Sequence, residues 1–302
     1  MTKLSLLFLL CLMAAGTSYA QEPSKEDQER EKALRDRAAS LKQDTTKPFG
    51  WTHQVVTGLN LTPVSFKDWA QGGQNALAYT LWLNGNSTQD MEKTNWSTSY
   101  RFAFGQTRLS DQGLKKTDDE IFLESLLIYK LWTYVNPYAS VTLRTQFAKG
   151  FEYPQGTEVA VSRFFDPAYL TQSIGAAYKP IPEVVTRLGV GVREVLTSQF
   201  RQYADDPATP DTEKVKVSGG IESVTNVEWN FAENMQLKSD LALFAPFKTM
   251  DEIIVRSDNS ISAKVNKYVT VSFNVQLIND VTTTRRTQIK QVLALGLSYT
   301  LL

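Results

Sequence analysis

The chain has 302 residues, with 32 Lys and Arg against 32 Asp and Glu, one histidine and one cysteine. Zero formal charge gives no electrostatic footprint for nucleic acid, so no nucleic-acid partner is expected. One histidine cannot build a histidine-ligated zinc site, and Cys11 lies in a segment that reads as removed on export, so no disulfide, thiol catalyst or cysteine-bound metal is expected, and no cofactor.

Residues 1–20 read as a secretory signal peptide. Lys3 gives a positive start, Leu4 to Ala15 an apolar stretch, and Ser18-Tyr19-Ala20 a small-x-small cleavage site. Residues 21–48 read as a charged periplasmic linker or helix, because Leu34 and Leu41 are their only large apolar residues and cannot build a core. A periplasmic partner docking on this segment is one expectation; a plain linker is the other.

From residue 49 to 302 the apolar period becomes two, the signature of strands with one apolar face. Twelve strands follow in order. Val55, Leu59 and Leu61 mark the first, Leu77 to Leu83 the second, Trp96 to Phe104 the third, and Ile121 to Leu131 the fourth. Val135 to Phe147, Leu170 to Tyr178, Leu188 to Val192 and Val217 to Trp229 mark the fifth to eighth. Leu237 to Leu243, Ile253 to Val265, Val269 to Leu277 and the closing Gln288 to Leu302 complete the set. The tenth is the weakest, because Ser257 and Asn259 interrupt its apolar face.

The opposite faces carry charge: Arg101, Glu120, Glu124, Lys130, Arg144, Arg187, Arg193, Glu222, Glu228, Lys238, Asp240, Arg256, Asp258, Lys264 and Lys290. A Lys or Arg facing lipid at mid-depth costs about 2–4 kcal/mol, so this segregation predicts charges turned into a lumen. A soluble sandwich alternates similarly. Joins separate the two, since short and long ones mostly alternate, as in outer-membrane barrels; Asn84 to Thr94 reads too long for its side and Pro246 to Met250 too short. Tyr134, Tyr178, Trp229, Phe231 and Tyr268 cluster at the short joins, where an interfacial aromatic girdle belongs. A chain ending on an alternating strand needs a partner for its open edge, and its own first strand can supply one.

Several stretches resemble an uncharacterised family of Bacteroidetes outer-membrane proteins, a domain of unknown function. They are Lys116-Thr117-Asp118-Asp119, Thr145 to Gly150, Phe164-Phe165-Asp166-Pro167-Ala168-Tyr169-Leu170, Gly175 to Pro180, Val265 to Thr270 and Gly296-Leu297-Ser298-Tyr299. The resemblance implies a Gram-negative outer-membrane barrel and brings no activity or catalytic residue. The final strand also resembles the signal read by the barrel-assembly machinery, although Leu301-Leu302 replaces its usual terminal aromatic.

The expected fold is therefore all-β, a closed antiparallel transmembrane barrel of about twelve strands in outer-membrane lipid. Its expected function is a passive narrow pore or an ion-paired structural barrel. Arg101, Glu120, Glu124, Arg144, Arg187, Arg193, Glu222, Glu228 and Lys290 are the expected lumen lining. Phe151, Tyr153, Arg163, Phe164 and Phe165, in the long loop Lys149 to Pro167, are candidates for a constriction or a rim. The acidic run Asp118, Asp119, Glu120 and Glu124 lacks the EF-hand spacing and is expected to pair with Lys115, Lys116 or lumen arginines. Two alternatives stay open: a lipid-modifying enzyme using His53, which has no Gly-x-Ser-x-Gly stretch to serve it, and a soluble exported binding module.

Overall fold

The computed structural model describes residues 49–64, 76–109, 113–152, 157–206, 209–266, 268–281, 284 and 286–301. The expected signal peptide, the charged segment 21–48, Tyr153 and Leu302 lie outside them. Twelve antiparallel strands form a closed barrel. In chain order they are β1 Gly50–Val64, β2 Ala76–Asp90, β3 Thr94–Leu109, β4 Lys115–Tyr129, β5 Val135–Thr145, β8 Ala168–Ile181, β9 Val184–Leu196, β10 Val215–Ala232, β11 Met235–Pro246, β12 Ile254–Lys264, β13 Val269–Asn279 and β14 Gln288–Thr300. Two short strands, β6 Gly150–Glu152 and β7 Val159–Ser162, pair as a hairpin inside the join that the sequence presented as a loop.

Each strand pairs with its chain neighbours, and β14 closes on β1 from Val56↔Thr300 to Leu61↔Leu295. The final strand thus takes the partner its alternation demanded. Leu81, Ile174, Leu188, Val217, Ile289 and Leu293 point outward with more than half their surface exposed. The buried set is inverted: Arg187, Asp166 and Asp280 are the largest fully buried side chains. Apolar outside and ionic inside is the reverse of a water-soluble fold.

Joins 91–93, 130–134, 182–183, 233–234 and the described part of 265–268 lie at one end of the barrel, and the longer 247–253 and the described parts of 146–167 and 197–214 at the other. Both expected exceptions disappear. β2 continues to Asp90, in register with β1 and β3, although Asn84 to Gln89 carry no apolar alternation to announce it. β11 ends at Pro246 and β12 begins only at Ile254. Lys130 corrects the list of inward charges: it sits in a short join, bonded to Asp90 at 2.6 Å and the Met91 carbonyl at 2.7 Å.

Ser257 and Asn259 do not interrupt β12. Ser239 Oγ donates to Asn259 Oδ1 at 2.6 Å and Asn259 Nδ2 to Ser257 Oγ at 2.7 Å, so these outward polar groups satisfy one another. Tyr134, Tyr178, Trp229, Phe231 and Tyr268 are exposed at the short-join end, joined by Trp51, Trp96, Trp132 and Tyr299.

Candidate functional site

The inward face of each strand holds every second residue, so charges separated by even numbers share the lumen. On β4 this places Asp118, Glu120, Phe122 and Glu124 in one file; on β9, Arg187, Gly189, Gly191 and Arg193. Arg101 Nη1 on β3 meets Asp240 Oδ2 on β11 at 2.9 Å. These strands are diametrically opposed in the ring, with β10, β9, β8, β5 and β4 between them on one side and β12, β13, β14, β1 and β2 on the other. The pair therefore spans the lumen. The Arg101 guanidinium lies 4.0 Å above the Phe122 ring, and Asn226 Nδ2 donates to the other Asp240 oxygen at 2.7 Å.

Further bridges flank this strut. Arg144 pairs with Glu120 at 2.8 Å, and Arg187 with Glu124 at 2.7 Å. Arg193 reaches Asp280, beyond the end of β13, at 2.8 Å. Lys290 binds Asp118. Tyr138 lies beside Arg187, and a Cβ added to Gly189 would come 2.7 Å from the Tyr138 hydroxyl, so glycine there admits the ring.

Most of the expected lining is brought together, with two departures. Glu228 sits at the short-join rim, paired with Lys238 at 3.0 Å with both side chains more than half exposed. Glu222 is inward, opposite Gly189, and makes no ion pair among the described residues. Of the acidic run, Asp119 takes Lys116 as expected, whereas Asp118 takes Lys290. Asp240, Arg256 and Asp258 appeared as inward charges but not as lining. Asp280 was missed altogether, because it lies one residue past β13, where alternation no longer assigns a face.

Phe151, Phe164 and Phe165 are exposed, and Arg163 bonds Asp166 at 3.5 Å and Ser198 Oγ at 3.1 Å. The contact that spans the ring among the described residues is the charged pair Arg101 with Asp240.

Three of the stretches that carry the family resemblance, Lys116 to Asp119, Thr145 to Gly150 and Phe164 to Leu170, hold the long joins. Asp119 accepts from the Phe147 and Ala148 amides at 2.7 and 2.8 Å, while Lys116 bonds the Ala148 carbonyl at 2.9 Å. Asp166, fully buried, accepts from the Ser198 and Gln199 amides at 3.1 and 2.7 Å, tying one long join to the next. Asp166→Ala would strand two backbone donors at about 1–3 kcal/mol each. Limited proteolysis should then cut within 197–214 in the variant under conditions that spare the parent; equal resistance would show that Asp166 is dispensable. In the same join Glu213 accepts from the Thr209 hydroxyl and the Asp206 amide, which hold its carboxyl down at about 2.

His53 lies outside the barrel, stacked on Trp51, with Nδ1 2.8 Å from Ser87 Oγ. No carboxylate or amide orients its ring among the described residues, and the backbone around Ser87 is committed to ladders with β1 and β3, leaving no oxyanion donors.

Residues 61–151 match the family model described as "Protein of unknown function (DUF3078)". No curated protein matches this chain. Among solved structures it is similar to the translocator domain of the autotransporter NalP from Neisseria meningitidis, at 10% identity and TM-score 0.36 over 90% of this chain and 95% of that one. It is also similar to an outer membrane channel from Pseudomonas putida F1, at 12% identity and TM-score 0.39 over 84% and 96%. A third is the CymD monoaromatic hydrocarbon channel, at 10% identity and TM-score 0.34 over 85% and 89%. The chain is thus a closed twelve-strand barrel whose residues 61–151 match an uncharacterised family, of the kind its motifs resemble.

Proposed function

We propose that this protein is an outer-membrane β-barrel whose lumen is a narrow polar path, closed at rest by ion pairs that span it. The observation that carries this reading is the 2.9 Å contact between Arg101 and Asp240 from opposite walls. Their side chains remain 30% and 40% exposed, so water reaches the bridge from within the barrel. A lumen packed for stability alone would seal that pair in apolar contacts. The outward leucines, isoleucines and valines fit hydrocarbon, and a soluble exported module would have to hold them all in water. In this reading outer-membrane lipid covers the belt and the barrel-assembly machinery receives β14. Residues 21–48 offer a periplasmic docking segment.

Conductance in a planar bilayer tests the reading. The parent should give rare, small openings. The double variant Arg101→Ala with Asp240→Ala removes the strut without leaving an unpaired charge, and should open a path several-fold more conductive. Silence from both would leave a closed structural barrel.

A further inference from the structure

A trough of about 900 Å³ crosses the outward face of the barrel between Trp96 and Phe247. Its banks are two neighbouring rows of the sheet. Leu127, Ala139, Ile174 and Val190 pair in register across β4, β5, β8 and β9 and form one. Val141, Gln172, Val192 and Gly219, one outward position nearer the long joins, form the other. Between the rows lie Ser140, Ser173 and Gly191, which face the lumen and leave only backbone as the floor. Residues two apart on a strand stand about 7 Å apart, so the trough is narrow. Phe247 closes one end: a Cβ on Gly219 would meet its ring at 3.4 Å.

The other polar side chains along this trough are satisfied within the chain. Trp96 Nε1 donates to Ser125 Oγ at 2.8 Å, and the Ser140 and Ser173 hydroxyls bond each other at 2.9 Å. Gln172 differs. It is exposed midway along the trough, between Val141 and Val192, and makes no hydrogen bond with any described residue. An amide left unpaired in hydrocarbon is costly, so what fills the trough must offer it an oxygen or a donor. From Gln172 to Trp96 the trough crosses three strand spacings, β8 to β5 to β4 to β3, or about 14 Å. Half of a hydrocarbon core of about 30 Å is about 15 Å, the depth that one acyl chain fills. A second copy docked through this face by a two-fold axis would bring hollow against hollow and fill neither.

We propose that this trough binds one acyl chain of a membrane lipid, with the ester carbonyl at the head of that chain accepting from the Gln172 amide. The site rests on the reading of the outward face as a lipid belt and not on the pore. Native mass spectrometry of the full-length barrel tests it, after lipid is stripped in detergent and diacyl phosphatidylcholine or its diether analogue, of equal chain length, is added back. The parent should retain one diacyl lipid about fivefold better than the diether, the worth of one hydrogen bond. Gln172→Leu should hold both at the level the parent shows for the diether. Ala139→Phe, with its ring filling the trough from an exposed position, should retain neither. Leu293→Phe, outward on β14, should behave like the parent, and each variant is first checked as a closed barrel by its compact band on cold SDS gels. Equal retention of the two lipids by the parent, or undiminished retention in Ala139→Phe, overturns the site. So does a lipid-free dimer, which would put a second copy over this face. A barrel that needs detergent yet keeps no lipid fails the site alone, whereas one that stays monodisperse in plain buffer fails the membrane reading beneath it.

Discussion

Glu124→Ala should lower the stability of the barrel by about 3–5 kcal/mol, read from urea unfolding in lipid vesicles. Arg187 is 1% exposed, and of its three side-chain nitrogens only Nη2 has a partner, Glu124 at 2.7 Å. Nε and Nη1 are buried without any. Removing Glu124 leaves a cation with nothing to balance it, in a place water barely enters. Glu228→Ala breaks a pair that is more than half exposed on both sides, and should cost less than about 1 kcal/mol. Replacing both Glu124 and Arg187 by leucine and methionine should recover most of the loss, because the penalty lies in the orphaned charge rather than the missing contact. Equal losses from Glu124→Ala and Glu228→Ala would refute this account of the interior.

Gly58→Val should prevent closure. The seam between β1 and β14 is paired only from Val56 to Leu61, whereas β1 and β2 pair along the whole of Gly50 to Val64. A Cβ on Gly58 would lie 2.4 Å from the Trp82 ring and 2.6 Å from the Leu297 carbonyl oxygen. The ring is held by Nε1 donating to Asn60 at 3.3 Å, and the oxygen belongs to the strand that must seal the barrel. Neither can withdraw without opening the seam it supports. The variant should lose the compact, heat-sensitive band of a closed barrel on cold SDS gels. Gly113→Ala has open space around it and should keep that band. A closed Gly58→Val barrel would mean that the seam tolerates a wider separation than its register implies.

The strand set was legible because the alternation rule is local: Leu77 to Leu83 or Val269 to Leu277 announce a face without knowledge of any neighbour. Where apolar residues thin out, at Asn84 to Gln89, the same rule failed although the ladder continued, because pairing there is carried by backbone and not by side chains. Charges on strand interiors could be assigned inward for the same local reason. Their partners could not. Arg101 and Asp240 are brought together by the size and closure of the ring, which no stretch of sequence encodes by itself. Phe122, Tyr138 and Tyr169 sit in phase with the inward faces of their strands, so the same alternation marks them as ring platforms for arginine. The family-like stretches read as a signature of membership; in Lys116 to Asp119, Thr145 to Gly150 and Phe164 to Leu170 their hydrogen bonds make them clasps that hold the long joins.

The strut across the barrel also constrains how the molecule comes into being. Arg101 and Asp240 stand 139 positions apart, and Lys290 finds Asp118 from 172 away. A half-built sheet would present these groups bare to the bilayer, with no counterpart yet delivered. Insertion strand by strand is therefore uphill until the last third of the polypeptide arrives, and the transition should be concerted, with a rate set by long-range ring formation rather than by any single hairpin.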